Sequence, residues 1–374
     1  MPRVCWLFEF PTKSGGENSL LASTDAIVDA GFEPVAVVPN GGPLAKSLRQ
    51  RGIEYVDFQV RSAATNAKRP QAELRAELHE LLTRIRVSFV HANSLSMGRL
   101  IGPVARDLGI PAIGHLRDIV KLSAKAMDDL NQLDRVLAVS EATREFHLAQ
   151  GMEPSTCHVL HNGVDLEQFR PRPATGWLHR ELKLTPKAQL VAAIGQLILR
   201  KGHDVFLQVA SNVVEVCPDA HFLLIGERYS GKAEAIRHVQ QLEAVMESPP
   251  LKTRTHLLGY RADVRQILSE LHVLIHPARQ EPLGRVLLEA AACGVPVIAT
   301  DVGGTREIFP LASDSAILTA RDDAATIARE TIALLGNPDR QATLSVNARN
   351  RAVAAFDIRR AGPALTSHYE AVIR

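Results

Sequence analysis

The stretch EPLGRVLLEAAACGVPVIATDVGG, residues 281–304, decides how this chain reads. It sets Glu281 and Glu289 eight positions apart, places Gly284 and Arg285 between them, and runs through an apolar segment to Gly303-Gly304. The pattern predicts a helix over 285–293 and a buried strand over 295–300. A carboxylate in an Ala/Leu helix beside a buried strand is costly unless something polar pairs with it. Arg285 lies one turn before Glu289 on the same face, and an ion pair in that order, base before acid, is worth only about 0.3 kcal/mol. Glu289 can instead accept two hydroxyls of a ribose, as acids do in dinucleotide sites. Glu281, in the loop ahead of the helix, is placed to meet a sugar hydroxyl. Gly284 lets a ligand approach the backbone there, and the helix start offers its amides to an anion.

Outward from this stretch, the same alternation of apolar run, turn and helix recurs. In the first half the runs are RVCWLFEF (3–10), PVAVVP (34–39), VSFVHA (87–92), IPAIGH (110–115) and RVLAVS (135–140). In the second half they are QLVAAIG (189–195), HFLLIG (221–226), THLLGY (255–260), HVLIHP (272–277) and VPVIAT (295–300). Runs that are apolar at nearly every position suit strands covered on both faces, and helical stretches between them, such as 17–30, imply crossovers. The expected fold class is α/β, with two doubly wound Rossmann-like domains facing a central cleft. The Asn-Gly and proline-rich segment 160–176 marks the hinge. The expected domains are 1–170 and 171–357, with a helix over 358–374 returning toward the first.

Composition narrows the function classes. The 374 residues carry a net charge of +2 and 5% aromatic residues, which argues against nucleic acid as a partner. Cys5, Cys157, Cys217 and Cys293 are scattered without metal-ligand spacing and read as reduced thiols. The opening MPRVCWLFEFP is too short in its apolar part for a signal peptide, and no apolar run reaches spanning length. A cytoplasmic protein is expected. Segment 46–86 is rich in Lys and Arg, but acids are interleaved, so at most weak peripheral contact with a membrane is expected.

In open parallel sheets, ligands sit outside the carboxyl ends of the strands. After the first run, Gly15 and Gly16 precede a helix expected to begin near Glu17, a place where backbone amides favour an anion. Asn93 follows the third run, and Arg117 and Asp118 follow the fourth. Several polar groups at neighbouring strand ends suggest a site. Arg200 and Lys201 precede Gly202 after QLVAAIG and read equally as a diphosphate clamp or a solvated pair.

The two-glutamate stretch, together with A-x-G-x-P-V-x-x-T and G-G-x-x-E, resembles the C-terminal signature of the family 4 retaining glycosyltransferases of the GT-B fold. NGVDLEQF, GQLILRKG, GGPLAKSL and SGGE match the family elsewhere, so the resemblance spans nearly the whole chain. It implies transfer of a sugar from a nucleotide diphosphate donor, read here as a UDP- or GDP-sugar, to a glycan, lipid or small-molecule acceptor, with retention. The chain contains no Asp-x-Asp and has Arg200, Lys201 and the helix start at Gly284 to meet the diphosphate, so no metal or other cofactor is expected. Glu289 would bind the ribose, Glu281 the donor sugar, and Lys201 with Arg200 the diphosphate. Gly284 and Arg285 would offer amides, and Gly16 would approach from the first domain. The chain departs from the family at Gln196, where an Arg is common, and at Asn93, where many members have His; His91 and His115 are nearby. A nucleotide-sugar epimerase or an inactive sugar- or nucleotide-binding module are the alternatives.

Overall fold

The computed structural model describes every residue except 63, 66 and 374. The chain divides into two units, Met1–Gly163 with Ile358–Arg374, and Val164–Asp357. In the first unit seven parallel strands run β1 Arg3–Leu7, β2 Glu33–Val38, β3 Glu54–Asp57, β4 Phe89–Ala92, β5 Ala112–Leu116, β6 Arg135–Ala138 and β7 Cys157–Val159. Their order across the sheet is β3-β2-β1-β4-β5-β6-β7. The second unit has β8 Gln189–Ile194, β9 Ala220–Ile225, β10 Thr255–Leu257, β11 Val273–His276, β12 Val297–Thr300 and β13 Ile317–Thr319. Their order is β10-β9-β8-β11-β12-β13. Both sheets are doubly wound, and in both the order reverses beside the first strand of the unit.

All ten apolar runs contain strands. The inner ones are buried on both faces, as in Phe89–Ala92, Ala112–Leu116 and Val297–Thr300. Three strands escaped the pattern: β3 (EYVD), β7 (CHV) and β13 (ILT). Each is short and lies at a sheet edge, where one flank has no neighbour to demand apolar side chains.

The helix expected over 17–30 is two helices, Gly15–Leu21 and Thr24–Asp29. The Thr24 hydroxyl donates to the Leu21 carbonyl at 2.7 Å and the Ser23 hydroxyl to that of Ser19 at 3.4 Å, so local side chains compete with the ladder at the break. The first of these helices starts at Gly15, two residues before the expected Glu17. Ser14 caps it, and the Glu17 carboxylate reaches back to the Ser14 backbone N–H at 2.9 Å.

The division between units falls at Gly163/Val164, while the expected 170/171 lies inside the second unit. Val164 N–H donates to the Phe356 carbonyl at 2.7 Å, and the Arg349 guanidinium donates to the carbonyls of Phe169 (2.9 Å) and Leu166 (3.3 Å). These bonds tie residues 164–169 to the second unit before the prolines are reached.

Helix Ile358–Ile373 belongs to the first unit; residue 374 of the expected segment lies outside the described residues. The helix packs against Thr24–Asp29, and a Cβ on Gly362 would sit 2.5 Å from that of Ala26. Its Tyr369 is fully buried, edge-on to Phe32 and Phe89 at centroid distances of 5.4 and 4.8 Å, and its hydroxyl meets His91 Nδ1 at 2.7 Å. Tyr369→Phe keeps the ring packing and leaves a buried imidazole nitrogen unpaired. The expected cost is about 1–3 kcal/mol, read by urea unfolding of the first unit through the fluorescence of buried Trp6. An unchanged midpoint would show that this bond contributes nothing.

Candidate functional site

Three loops at the carboxyl ends of β8, β11 and β12 converge in the second unit. After β8 the chain passes Gly195 and Gln196, makes a 3₁₀ turn over Leu199–Lys201, and enters helix His203–Val214 through Gly202. Gly202 has φ +69°, and a Cβ there would lie 1.9 Å from the Pro277 carbonyl oxygen. Only glycine allows the β8 loop to lie this close to the β11 loop. Arg279 fastens the same two loops. Its backbone N–H donates to the Arg200 carbonyl at 2.8 Å, and its guanidinium donates to the Leu199 carbonyl at 2.9 Å and to both carboxylate oxygens of Asp204 at 2.9 and 2.7 Å.

Within this frame Glu281 is 5% exposed. Its Oε2 accepts from Lys201 Nζ and from His276 Nε2, the latter at 2.7 Å. Burial alone would raise its pKa, but the Lys201 charge and the His276 hydrogen bond hold the carboxyl well below its usual range. His276 is pushed down by burial, against the pull of Glu281, so it donates as a neutral imidazole. The Glu281 carbonyl accepts from Gly304 N–H at 3.0 Å, which ties the β12 loop to the same residue. Arg200 Nη1 is buried without a hydrogen-bond partner, as is the Thr305 hydroxyl. A buried guanidinium nitrogen left unpaired is an anion site in waiting, since desolvating it is costly.

Gly284, with φ +103°, leads into helix Arg285–Cys293, whose start has no side-chain cap. Glu289 is largely buried on that helix, and its Oε1 accepts from Arg285 Nη2 at 2.9 Å and Nε at 3.2 Å. Burial pushes the Glu289 carboxyl up, and Arg285 pulls it back. The i,i+4 pair read as one possibility from the sequence is therefore present. Gln196 is partly exposed; its carbonyl accepts from Ile198 N–H at 2.9 Å.

The first-unit candidates form a separate cluster. Asn93, 2% exposed, follows β4. Its Oδ1 accepts from Arg117 Nη2 at 2.9 Å, and its carbonyl accepts from Arg117 Nε at 3.2 Å. Because a guanidinium only donates, this fixes the amide and leaves Asn93 Nδ2 buried without a partner. Arg117 also donates to Asn162 Oδ1 at 2.9 Å and to His115 Nδ1 at 3.1 Å. Gly16 lies over it: a Cβ there would fall 2.8 Å from Arg117 Cδ. Gly15 is exposed, and its carbonyl accepts from the Ser19 hydroxyl at 2.9 Å. Asp118 is exposed; its carbonyl, not its carboxylate, is engaged, accepting from His147 Nε2 at 2.9 Å. The structure thus groups Gly16 with Asn93 and Arg117, and Arg200, Lys201 and Glu281 with His276, while the Asp118 carboxylate joins neither group.

Sequence reasoning missed His276, Arg279 and Thr305. His276 could have been found: it is the last residue but one of the run HVLIHP, five residues before Glu281. Arg279 could not, because its partners Asp204 and Asp322 are remote in sequence.

Comparison with known proteins places both halves. Residues 13–168 match the family model Glycosyltransferase Family 4, and residues 188–337 match Glycosyl transferases group 1. The chain is 30% identical over 184 residues to the GPI3 subunit of phosphatidylinositol N-acetylglucosaminyltransferase from Saccharomyces cerevisiae, covering 48% of this chain and 38% of that protein's length. It is 24% identical to a UDP-Gal:alpha-D-GlcNAc-diphosphoundecaprenol alpha-1,3-galactosyltransferase of Escherichia coli, over 93% of this chain and 91% of that protein. Among solved structures, Anabaena HepE in complex with UDP-glucose superposes with a TM-score of 0.86 at 20% identity, over 99% of this chain and all of the other. That likeness shows a shared GT-B fold.

The buried histidines give the fold a pH dependence. Burial, with Arg117 beside it, lowers His91 to about 3; burial, with Lys201 beside it, lowers His203 to about 3. Both lie below the unfolded value near 6.5, so the unfolded chain takes up protons first as pH falls. Their contribution is complete above about pH 6.5 and is lost toward the folded values, by about 1.4 kcal/mol per pH unit for each histidine. Urea unfolding should therefore shift to lower urea between about pH 7 and about pH 5.5, in the first unit by Trp6 fluorescence and in the second by Trp177. A flat profile for either unit would contradict neutral burial of its histidines.

Proposed function

We propose, for a chain that belongs to the family 4, group 1 glycosyltransferases, that it moves a sugar from a UDP-sugar to an acceptor hydroxyl with retention at the anomeric carbon. The observation that carries this reading is the constellation around Glu281: a buried carboxylate bound to Lys201 and His276, with an unpaired guanidinium nitrogen of Arg200 on the same loop as Lys201. In the proposed reaction the bond between the anomeric carbon and the diphosphate oxygen breaks, and a bond to the acceptor oxygen forms on the same face. The acceptor's proton passes to the departing diphosphate. Negative charge grows on that diphosphate as the bond lengthens, so Arg200, Lys201 and the helix start at Arg285 bind it better in the transition state than in the ground state. Glu289 takes the ribose hydroxyls, and Glu281 a hydroxyl of the transferred sugar.

A uridine donor is favoured over a guanosine one because the E. coli relative is named for UDP-Gal and HepE is described with UDP-glucose. The E. coli relative is named for a diphosphoundecaprenol-linked sugar, and the Saccharomyces relative for phosphatidylinositol. A lipid-linked acceptor, met by the first unit through at most weak membrane contact, is consistent with them. Among the described residues no helix is long and apolar enough to cross a membrane.

Two tests address this reading. Titration with UDP and GDP in a calorimeter should favour UDP, and Glu289→Ala should weaken UDP at least about tenfold, since each lost hydrogen bond to a charged group removes about 1.5–3 kcal/mol. Unchanged affinity in a folded variant would reduce Glu289 to the partner of Arg285. For the diphosphate, Lys201→Ala should lower turnover more than donor affinity. Transfer measured as UDP release should also survive exhaustive chelation, because the chain's own cations neutralise the leaving group. Activity that vanishes with chelator and returns with Mg²⁺ or Mn²⁺ would reject a metal-free mechanism.

A further inference from the structure

His276 is the buried titratable group beside Glu281 to which the donor reading gives no task. It ends β11, is 3% exposed, and places Nε2 2.7 Å from Glu281 Oε2. The same oxygen takes the Lys201 ammonium, while Oε1 has no hydrogen bond among the described residues. The two partners of Oε2 differ in kind. Lys201 is a point charge on a flexible four-carbon stem, and a diphosphate would draw it away. His276 is fixed by a central strand of the sheet and, as a neutral imidazole, has no charge to offer a phosphate. The backbone of Glu281 is held as well, through its carbonyl bond to Gly304 N–H at 3.0 Å. One oxygen and the main chain are therefore anchored, and the other oxygen is left available.

We propose that His276 is a positioning residue. It keeps Glu281 Oε1 directed at the donor sugar when Lys201 moves its hydrogen bond from Glu281 to the donor diphosphate. This rests on the donor reading above. On that reading Glu281 touches the sugar and not the nucleotide, so His276 governs the extra affinity that a UDP-sugar has over UDP.

The test compares wild type, His276→Phe, which keeps a ring without the donor, and His276→Gln, which offers an N–H at the same reach. Each is titrated with UDP and with UDP-glucose, UDP-galactose and UDP-N-acetylglucosamine by calorimetry. In His276→Phe, UDP affinity should stay within about twofold, while the ratio of UDP-sugar to UDP affinity falls at least about tenfold, or about 1.4 kcal/mol; His276→Gln should restore most of that ratio. An unchanged ratio in His276→Phe overturns the proposal. So does a parallel loss of UDP and UDP-sugar binding that Gln does not repair, which would mark a packing role. A wild type that binds UDP but gains nothing from any of the three sugars also overturns it. A wild type that binds neither UDP nor any UDP-sugar instead removes the donor reading itself.

Discussion

One carboxylate oxygen organises the second unit's site. Glu281 Oε2 is shared by an ammonium from the β8 loop and an imidazole from the end of β11, and the Glu281 carbonyl holds the β12 loop. Three strand-end loops thus meet on one residue. A buried ion pair of this kind is a poor source of stability, because desolvating both charges offsets much of their attraction. Its value lies in geometry. Removing Lys201 or Glu281 leaves the other charge without its partner, which favours the one arrangement of the loops that keeps both. The close approach at Gly202, impossible for a residue with a Cβ, and the Arg279 clasp to Asp204 are what bring Lys201 within reach.

The first unit solves a similar problem with a different residue. Arg117 spends its fork on Asn93, His115 and Asn162, so residues from the ends of β4 and β5 and from the last segment before the division are held by one planar cation. Neutral histidines surround it. His91 and His115 stack at a centroid distance of 5.6 Å and are kept uncharged by burial and by Arg117. Burial beside a fixed cation disfavours a second positive charge, and the tautomer at His115 follows from the guanidinium: Nδ1 accepts, so Nε2 carries the hydrogen. The C-terminal helix is recruited to the same network through Tyr369 and His91.

These arrangements bear on how glycine should be read in this chain. Gly16 and Gly202 both mark places where another group lies within van der Waals distance of a missing Cβ: the Arg117 side chain and the Pro277 carbonyl. Gly15, beside Gly16 in the sequence, is exposed and gives its carbonyl to the Ser19 hydroxyl. A glycine pair in a strand-end loop therefore resolves into one residue packed under a side chain and one that lies exposed, a distinction set by the tertiary fold.

The sequence by itself determined the two parallel sheets, the inner strands, the helix carrying Glu289 and the loops that hold Lys201 and Glu281. Those features rest on local causes: apolar runs buried on both faces, helix periodicity and glycine at a helix start. Family membership was legible for the same reason, since the two-glutamate stretch and its flanking turns are contiguous. Tertiary structure alone decided the edge strands β3, β7 and β13, which carry little apolar pattern, and the division at Gly163/Val164, which depends on bonds to Arg349 and Phe356 from the far end of the unit. It also decided which polar residues become a site. Asp118 and Asn93 look alike as strand-end polar residues, yet one is exposed and the other is buried against Arg117. The difference lies in what packs against them, and packing partners separated by tens to hundreds of residues leave no periodic trace along the chain.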